Sequence, residues 1–337
     1  MKAPGKLNLT AMILLGLCAV IGSRTAQAVD WMAITLDNDS FIGNDNGYTN
    51  GIYFSWYDGV EHDEAEPGFL AHAMLWSLPD KSSSATDIDI GTVGQTMTTP
   101  DDITDDPPIL PPDSLPYAGL LFYSDTLLRI QQEHADRIAV TIGIVGEYSF
   151  AEEAQKFVHD LIGSDEPCCW DTQLDDEIVF QVSRSRAWKT WVSDSGDADL
   201  ILVADGDLGT ISSSLGAGIM VRYGAELKRS FASSLLIGSR TSNPLVTNSG
   251  WFLFAGAEAS YLFNHIFLDT SKSYDDEYEE IDYDGDRVAV TAGLAYAWKN
   301  WSATFALNNL NILNNNDGDP DNEFSEFGTL TVAWKLD

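Results

Sequence analysis

The sequence has few basic residues and few cysteines. Lys and Arg together number 18 against 52 Asp and Glu, so the formal net charge at pH 7 is −34. A chain this acidic repels a phosphate backbone, which excludes nucleic acid as a partner. Of the three cysteines, Cys168 and Cys169 are adjacent, and Cys18 lies near the N-terminus. An adjacent pair provides neither a disulfide framework nor the second C-x-x-C of a zinc site.

Common catalytic signatures and long apolar runs are also missing. There is no G-x-S-x-G elbow, no H-E-x-x-H, no P-loop and no G-x-G-x-x-G, which excludes the familiar hydrolase and nucleotide-binding patterns. The apolar run at residues 11–21 is too short for a membrane-spanning helix. It follows Lys2 and Lys6 and precedes Ala26-Gln27-Ala28, an arrangement typical of a secretory signal peptide. We therefore expect cleavage after Ala28, leaving one domain at residues 29–337.

Segments that alternate with a period of two recur along the mature chain. In residues 138–144 and 288–298, large apolar side chains occupy one face and Ala, Thr or Gly the other. Segments of about ten residues with this pattern are typical of transmembrane barrels, whose large side chains face lipid. The pattern predicts an all-β fold, a transmembrane antiparallel β-barrel of about twelve strands in the bacterial outer membrane. We expect a monomer, although alternation does not determine the oligomeric state.

Aromatic residues at the predicted strand ends favour a barrel over a soluble sandwich, because transmembrane barrels carry aromatic girdles at both membrane interfaces. The residues assigned to these girdles are Trp56, Tyr117, Trp188, Trp191, Tyr223, Trp251, Tyr261, Trp298, Trp301 and Trp334.

One segment breaks the strand pattern. Ser149 and Glu152 are spaced as a capping box, and apolar residues then repeat at helical spacing up to Gly163. The segment predicts a short helix with Ser149 as its N-cap. Gln155 and His159 lie four residues apart, so they are neighbours on one side of this helix.

A second candidate region lies at residues 34–56, which form a predicted hairpin with an Asn- and Asp-rich loop. Asp37, Asn38 and Asp39 fall at the end of its first strand, where a hard cation could bind; the alternative is a solvated turn whose side chains only satisfy backbone groups. If Ala33 and Asp37 face inward, strict alternation admits Asp39 but not Asn38 to the lumen. A bulge or a strand end near Asn38 reconciles the two.

Taken together, the motifs resemble those of the outer-membrane lipid A 3′-O-deacylases. The resemblance covers nearly the whole mature chain and rests on the shared order and spacing of short pieces. The pieces are Asn38-Asp39-Ser40-Phe41, Tyr48-Thr49-Asn50-Gly51-Ile52, Gly94-Gln95 with Thr99-Pro100, Pro116-Tyr117-Ala118-Gly119, Gly143-Ile144-Val145-Gly146, Ala151-Glu152 with Gln155, His159 and Gly163, Trp170-Asp171-Thr172-Gln173-Leu174 with Glu177, His265-Ile266-Phe267-Leu268-Asp269, and Glu326-Phe327-Gly328.

This resemblance implies a carboxylic ester hydrolase that requires Ca²⁺ and removes a 3′-acyloxyacyl chain from lipopolysaccharide lipid A, at a site between barrel wall and outer-leaflet lipid. The implied catalytic residues are the general base His159 with Gln155, Asn38, Asp39 and Thr49. The implied calcium ligands are Asp39 and Asn38, with Asp165 as a weaker one. This chain has Asp165 where the family has a glutamate, and Leu115 where the family often has an arginine.

The chemistry is consistent with these residue types. A neutral imidazole can take a proton from water, and a calcium ion can polarise an ester carbonyl, so no serine nucleophile is required. Two alternatives remain open at this point. One is a catalytically silent, porin-like or structural barrel, and the other is an outer-membrane phospholipase, which needs a serine beside a strand-borne histidine.

Overall fold

In this computed structural model, the protein is described over residues 29–38, 41, 48–60, 65–100, 103, 115–163, 165, 167–225, 227, 230–237, 249–268, 285–308 and 327–336. The predicted signal peptide at residues 1–28 lies outside these ranges.

Twelve antiparallel strands form one closed barrel, as the alternation predicts. Each strand pairs with its neighbours in sequence, and the first strand closes the barrel on the last, from Trp31 opposite Lys335 to Asn38 opposite Gly328. The strands are β1 (Trp31–Asn38), β2 (Tyr48–Asp58), β3 (Thr86–Thr98), β4 (Ala118–Ile130), β5 (His134–Val145), β6 (Glu177–Val192), β7 (Ala198–Gly209), β8 (Ser212–Gly224), β9 (Ser249–His265), β10 (Asp286–Trp298), β11 (Trp301–Asn308) and β12 (Phe327–Lys335).

Helices occupy the connections between strands. They are α1 (Phe69–His72), α2 (Ala151–Ile162) and α3 (Ser234–Ile237), and 3-10 turns lie at Leu75–Ser77, Glu147–Ser149, Trp170–Thr172 and Phe231–Ser233. None of the helices in the described ranges is long and apolar enough to cross a membrane.

We call the barrel end with the first residue of β1 the terminal rim, and the opposite end, beside α2, the helix rim.

The two faces of the wall follow the period of two. In β1, Ala33, Thr35 and Asp37 point inward and are buried, whereas Ile34 and Leu36 point outward and are exposed. The same division holds in β10, where Ala295 is buried and the large side chains of Val288, Leu294, Tyr296 and Trp298 are exposed. The predicted large-out, small-in pattern is therefore confirmed on these strands.

Apolar side chains fill the barrel interior near the terminal rim. The segment after β8 enters the barrel and packs Leu227, Phe231 and Leu235 against the inner wall. Arg222, which is fully buried, donates from Nε and Nη2 to the Asp199 carboxylate at 2.9 and 2.6 Å. Its Nη1 and Nη2 also reach Ser230 Oγ at 2.9 Å and the Leu227 carbonyl at 3.1 Å, so this ion pair fixes the segment in place.

A second apolar cluster fills the interior near the helix rim. It joins Leu120, Val145 and Leu262 of the wall to Phe267 and its neighbours in the turn after β9. Leu115, at the position where the resemblance leads us to expect an arginine, is 3% exposed within this cluster. The lumen is thus occupied by side chains at both ends.

Seven of the ten predicted girdle aromatics are exposed on the outer surface, Trp334 is half-buried, and two are buried. The exposed ones are Trp188, Trp191, Tyr223, Trp251, Tyr261, Trp298 and Trp301. Trp56 is 8% exposed because it stacks on Tyr123, with ring centroids 6.1 Å apart, and covers the bare backbone of Gly91. Tyr117 is fully buried against Trp170. The assignment of Trp56 and Tyr117 to exposed girdles was therefore wrong.

Candidate active site

Helix α2 lies on the outer wall of the barrel, at the helix rim. Gly119 pairs with Met97 on the outward face, since their neighbours Leu120 and Thr96 pair on the inward face. A Cβ placed on Gly119 would be 2.2 Å from Ser149 Oγ and 2.3 Å from Ala151 Cβ, so the start of α2 lies directly on this glycine. Gln95, also on the outward face, donates from Nε2 to the Ser149 carbonyl at 2.6 Å.

The N-cap lies one residue later than the Ser149 that the capping box predicts. Ser149 ends a 3-10 turn, and Phe150 is the N-cap, in the left-handed conformation with φ of 58°. The Ser149 hydroxyl donates to the Gly146 carbonyl at 2.6 Å, and its oxygen accepts a long bond of 3.4 Å from the Ala151 N–H, so it both holds the turn and contacts the start of the helix. Glu152 accepts a bond from Lys156 at 2.8 Å. The predicted end is confirmed: Gly163, with φ of 74°, is the C-cap and donates to the His159 carbonyl.

Gln155 faces the wall from the middle of α2. Its side chain is 3% exposed, and its Oε1 accepts a hydrogen bond from Trp170 Nε1 at 2.7 Å. Its Nε2 has no hydrogen-bond partner among the described residues. Trp170 packs edge-on against Tyr117, with ring centroids 5.3 Å apart. Gln155 therefore connects α2 to the 3-10 turn at Trp170–Thr172, which packs on the outer wall. Sequence reasoning had taken Trp170 only as part of a motif.

The two adjacent cysteines lie next to this cluster. Cys168 and Cys169 form a disulfide with each other, and Cys169 is buried beside Trp170. A bridge between neighbours closes no loop of chain, so the prediction of no disulfide framework still holds for this pair.

His159 lies one turn after Gln155 and is half-buried. Its Nδ1 is 2.5 Å from the backbone carbonyl oxygen of Asp165. A carbonyl oxygen can only accept, so Nδ1 carries the proton and, in the neutral ring, Nε2 is left as the acceptor. The contact uses the backbone of Asp165, which means that an aspartate here in place of glutamate leaves it intact.

The remaining predicted site residues lie on β1 and β2. Asn38 is the last residue of β1, half-buried, and it follows the inward-facing Asp37, so it is on the outward face. The outward face is also the one that carries α2, and the supposed need to bring Asn38 into the lumen was wrong. The strand end expected near Asn38 is confirmed, because β1 ends at this residue. A bulge lies in the neighbouring strand β2, where the pairing with β3 shifts between Tyr48 and Asn50.

The side chain of Thr49 and all of Asp39 lie outside the described residues. In the described ranges, no group of three or more His, Cys, Asp or Glu is placed to hold a metal ion. Strand β1 is two strands from β3 and three from β4, or roughly 10–14 Å at a spacing of about 4.8 Å per strand. The structure therefore places Asn38, Gln155 and His159 on one outer face at one rim.

The family model described as outer membrane protein LpxR matches residues 9–336. The chain belongs to the LpxR family. Among solved structures, LpxR from Salmonella typhimurium aligns with a TM-score of 0.71 and 14% identity, over 91% of this chain and 100% of that one. This likeness confirms the barrel fold, and membership of a family of outer membrane proteins agrees with the expected location.

Two other barrels align less well with this LpxR-family chain. The KdgM porin gives a TM-score of 0.37 at 6% identity, over 91% of this chain and 99% of its own. The translocator domain of the autotransporter NalP from Neisseria meningitidis gives 0.39 at 8% identity, over 98% of both chains. None of the curated proteins matches the chain in sequence.

Proposed function

We propose that this protein is an outer-membrane lipid A deacylase, a carboxylic ester hydrolase that removes an acyl chain from lipopolysaccharide at the outer face of its own wall. The observation that carries the proposal is the orientation of His159, whose Nδ1 is engaged by the Asp165 carbonyl and whose Nε2 is left as an acceptor. The helix that carries His159 lies on the outer wall, the side of a transmembrane barrel that faces lipid, which supports this role. Membership of the LpxR family supports the same activity.

In this mechanism, water is the nucleophile. The Nε2 of His159 takes one proton from water, and the water oxygen bonds to the carbonyl carbon of the ester. The bond from that carbon to the alkoxy oxygen then breaks, and the alkoxy oxygen takes the proton back from Nε2. The products are a free fatty acid and a hydroxyl on the remaining lipid. The Asp165 carbonyl stabilises the imidazolium that forms between the two steps.

Calcium is part of the proposal. Asp39 and Asn38 are the proposed ligands, with Asp165 as a weaker one, because a hard cation prefers carboxylate and amide oxygens. The outward placement of Asn38, on the face that carries α2, fits this role. When bound, the ion supplies positive charge that polarises the ester carbonyl. Gln155 positions α2 through Trp170, and Thr49 is proposed as a further polar group of the site.

The two alternatives differ in what they need from the structure. A porin-like role needs an open lumen, and the apolar clusters at both rims argue against it. An outer-membrane phospholipase needs a serine beside a histidine on a strand. His159 is instead on a helix, and its ring contacts a backbone carbonyl.

The decisive experiment is mass spectrometry of lipids after incubation with the purified protein. Vesicles that contain both lipopolysaccharide and phospholipid should lose one acyl chain from lipid A only, and in heavy-oxygen water the released fatty acid should carry the label after a single turnover. His159→Asn should lower the rate on the order of 10²-fold or more, because it cannot accept the proton.

The matched control is His72→Asn, which changes an exposed histidine in α1, at the other rim. It should keep full activity. Cleavage of phospholipid alone, or normal turnover by His159→Asn, would contradict the proposal.

A further inference from the structure

We propose that residues 67–79, which we call the strap, form a lipid-contacting surface on the outer wall near the terminal rim, with Phe69 and Trp76 seated among phospholipid acyl chains. Such a surface would help to position the barrel in its membrane. It holds whether or not the protein hydrolyses an ester.

The wall beneath the strap is charged on its outward face. In β3, Ile88 and Ile90 point inward, so Asp87 and Asp89 point outward. The same face of the neighbouring strands β4 to β6 carries Asp125, Arg129, Asp136, Arg184 and Arg186. This reverses the usual arrangement of a transmembrane barrel, in which charge on the lipid face is destabilising.

The strap covers these charges and bonds to them. The Gly68 N–H donates to Asp89 Oδ1 at 2.8 Å, and the N–H groups of Leu70 and Ala71 donate to Asp125 Oδ2 at 2.8 and 3.2 Å. Arg129 donates to the Pro79 carbonyl at 2.8 Å. Ala71 is fully buried against the wall residues Leu127 and Ile138.

Ion pairs hold the other charges of this wall. Arg129 binds Asp87 with two bonds of 2.9 Å, and Arg186 binds Asp136 from Nε at 2.7 Å. Arg184 also contacts Asp136. With the strap in place, the charged groups are therefore paired or covered.

The strap reaches beyond the level of the aromatic residues at this rim. The exposed Trp188 pairs with His134, the first residue of β5, whereas Asp125 pairs with Val140. The two pairing levels are six residues apart along β5, or about 20 Å at 3.4 Å per residue, which is about 15 Å in height for a strand tilted by about 40°. Since the apolar band of a transmembrane barrel is about 25 Å tall, the bonds between strap and Asp125 lie within it.

The outer surface of the strap is apolar. From Pro67 to Pro79 it contains none of the 52 acidic residues of the chain and no Lys or Arg. Phe69 and Trp76 are 82% and 81% exposed, slightly more than any large apolar side chain on the described part of the wall. At the terminal rim, strands β6 and β8 to β11 carry exposed aromatic side chains. Strands β3 to β5 differ, because their outward residues near this rim include Asp87, Arg129 and Asp136. The strap lies over β3 to β5, where the described wall itself has no exposed aromatic at this rim. Phe69 and Trp76 therefore supply aromatic side chains beside those of the neighbouring strands.

The test is fluorescence quenching in vesicles of phosphatidylethanolamine and phosphatidylglycerol. Phe69→Cys and Trp76→Cys are each labelled with a polarity-sensitive dye, as are Tyr296→Cys on the exposed wall and Ser83→Cys on the exposed part of the same connection. Labels at 69 and 76 should lose fluorescence to nitroxides on lipid acyl chains as much as the label at 296 does. Iodide in the water should quench the label at 83 and not these two.

A further label and a folding check keep the result interpretable. His72→Cys places a dye on the exposed side of α1 while both aromatics remain, and heat-modifiable migration reports that each variant is folded. Quenching of positions 69, 72 and 76 by iodide, as at 83, would overturn the proposal. Protection from both quenchers would also overturn it, because a protein surface would then cover the strap.

Discussion

Replacing Gly119 with alanine tests whether the seating of α2 on the wall governs activity. The added Cβ would be 2.3 Å from Ala151 Cβ and 2.2 Å from Ser149 Oγ, whereas carbon atoms in contact are about 3.5–4.0 Å apart. The start of α2 must therefore move away by about 1 Å or more. Misplacement of this size in an active site costs on the order of 10²-fold in rate. We expect Gly119→Ala to lower the turnover of lipid A by this amount.

The barrel itself should tolerate the change, because the strand backbone of Gly119 accepts any residue and the strain falls on the outer helix. Gly206→Ala is the matched control. It also adds a methyl group to a strand glycine, but its nearest contact is 3.4 Å, to Leu215 Cδ1, so turnover should not change. The assay compares initial rates of fatty acid release in variants that show the same heat-modifiable migration. Full activity of folded Gly119→Ala would refute the dependence on α2.

Three further predictions follow from other parts of the molecule. Hydrolysis should stop in chelator and return with calcium, and Asp39→Ala should need far more calcium or fail; wild-type activity of this variant in chelator would show that the loop is only a solvated turn. Thr49→Val should weaken turnover without abolishing it, and an acyl-threonine trapped by mass spectrometry would contradict attack by water. Asp199→Ala should lower the free energy of unfolding by about 3–5 kcal/mol, measured by urea in vesicles, because it leaves the buried Arg222 unpaired; a shift no larger than that of exposed Asp194→Ala would refute this.

The barrel and the helix could be predicted from the sequence because both depend on local periodicity. Alternation in residues 288–298 fixes which side chains share a face, and helical spacing places Gln155 and His159 on one side of α2. The capping box was misleading because the backbone N–H of Ser149, which Glu152 accepts in such a box, donates instead to the Gly146 carbonyl within the 3-10 turn.

Periodicity could not predict which side of the wall each face occupies. In β3, aspartates alternate with isoleucines, and the rule of polar residues inward would have pointed Asp87 and Asp89 into the lumen. They face outward because a segment about twenty residues earlier in the chain folds back over them. Alternation did predict that Asn38 faces outward, but it could not predict that α2 lies on the same outer face.

The position of α2 outside a filled barrel also determines which measure of lipid substrate concentration governs the rate. A lipid that reacts there arrives by lateral diffusion within one leaflet, without desorbing into water or threading a pore. The relevant quantity is then its mole fraction in the surface rather than its bulk molarity. Adding inert detergent or phospholipid at fixed total substrate should slow turnover in proportion to surface dilution, and stiffening the bilayer should slow encounter without any change in the protein.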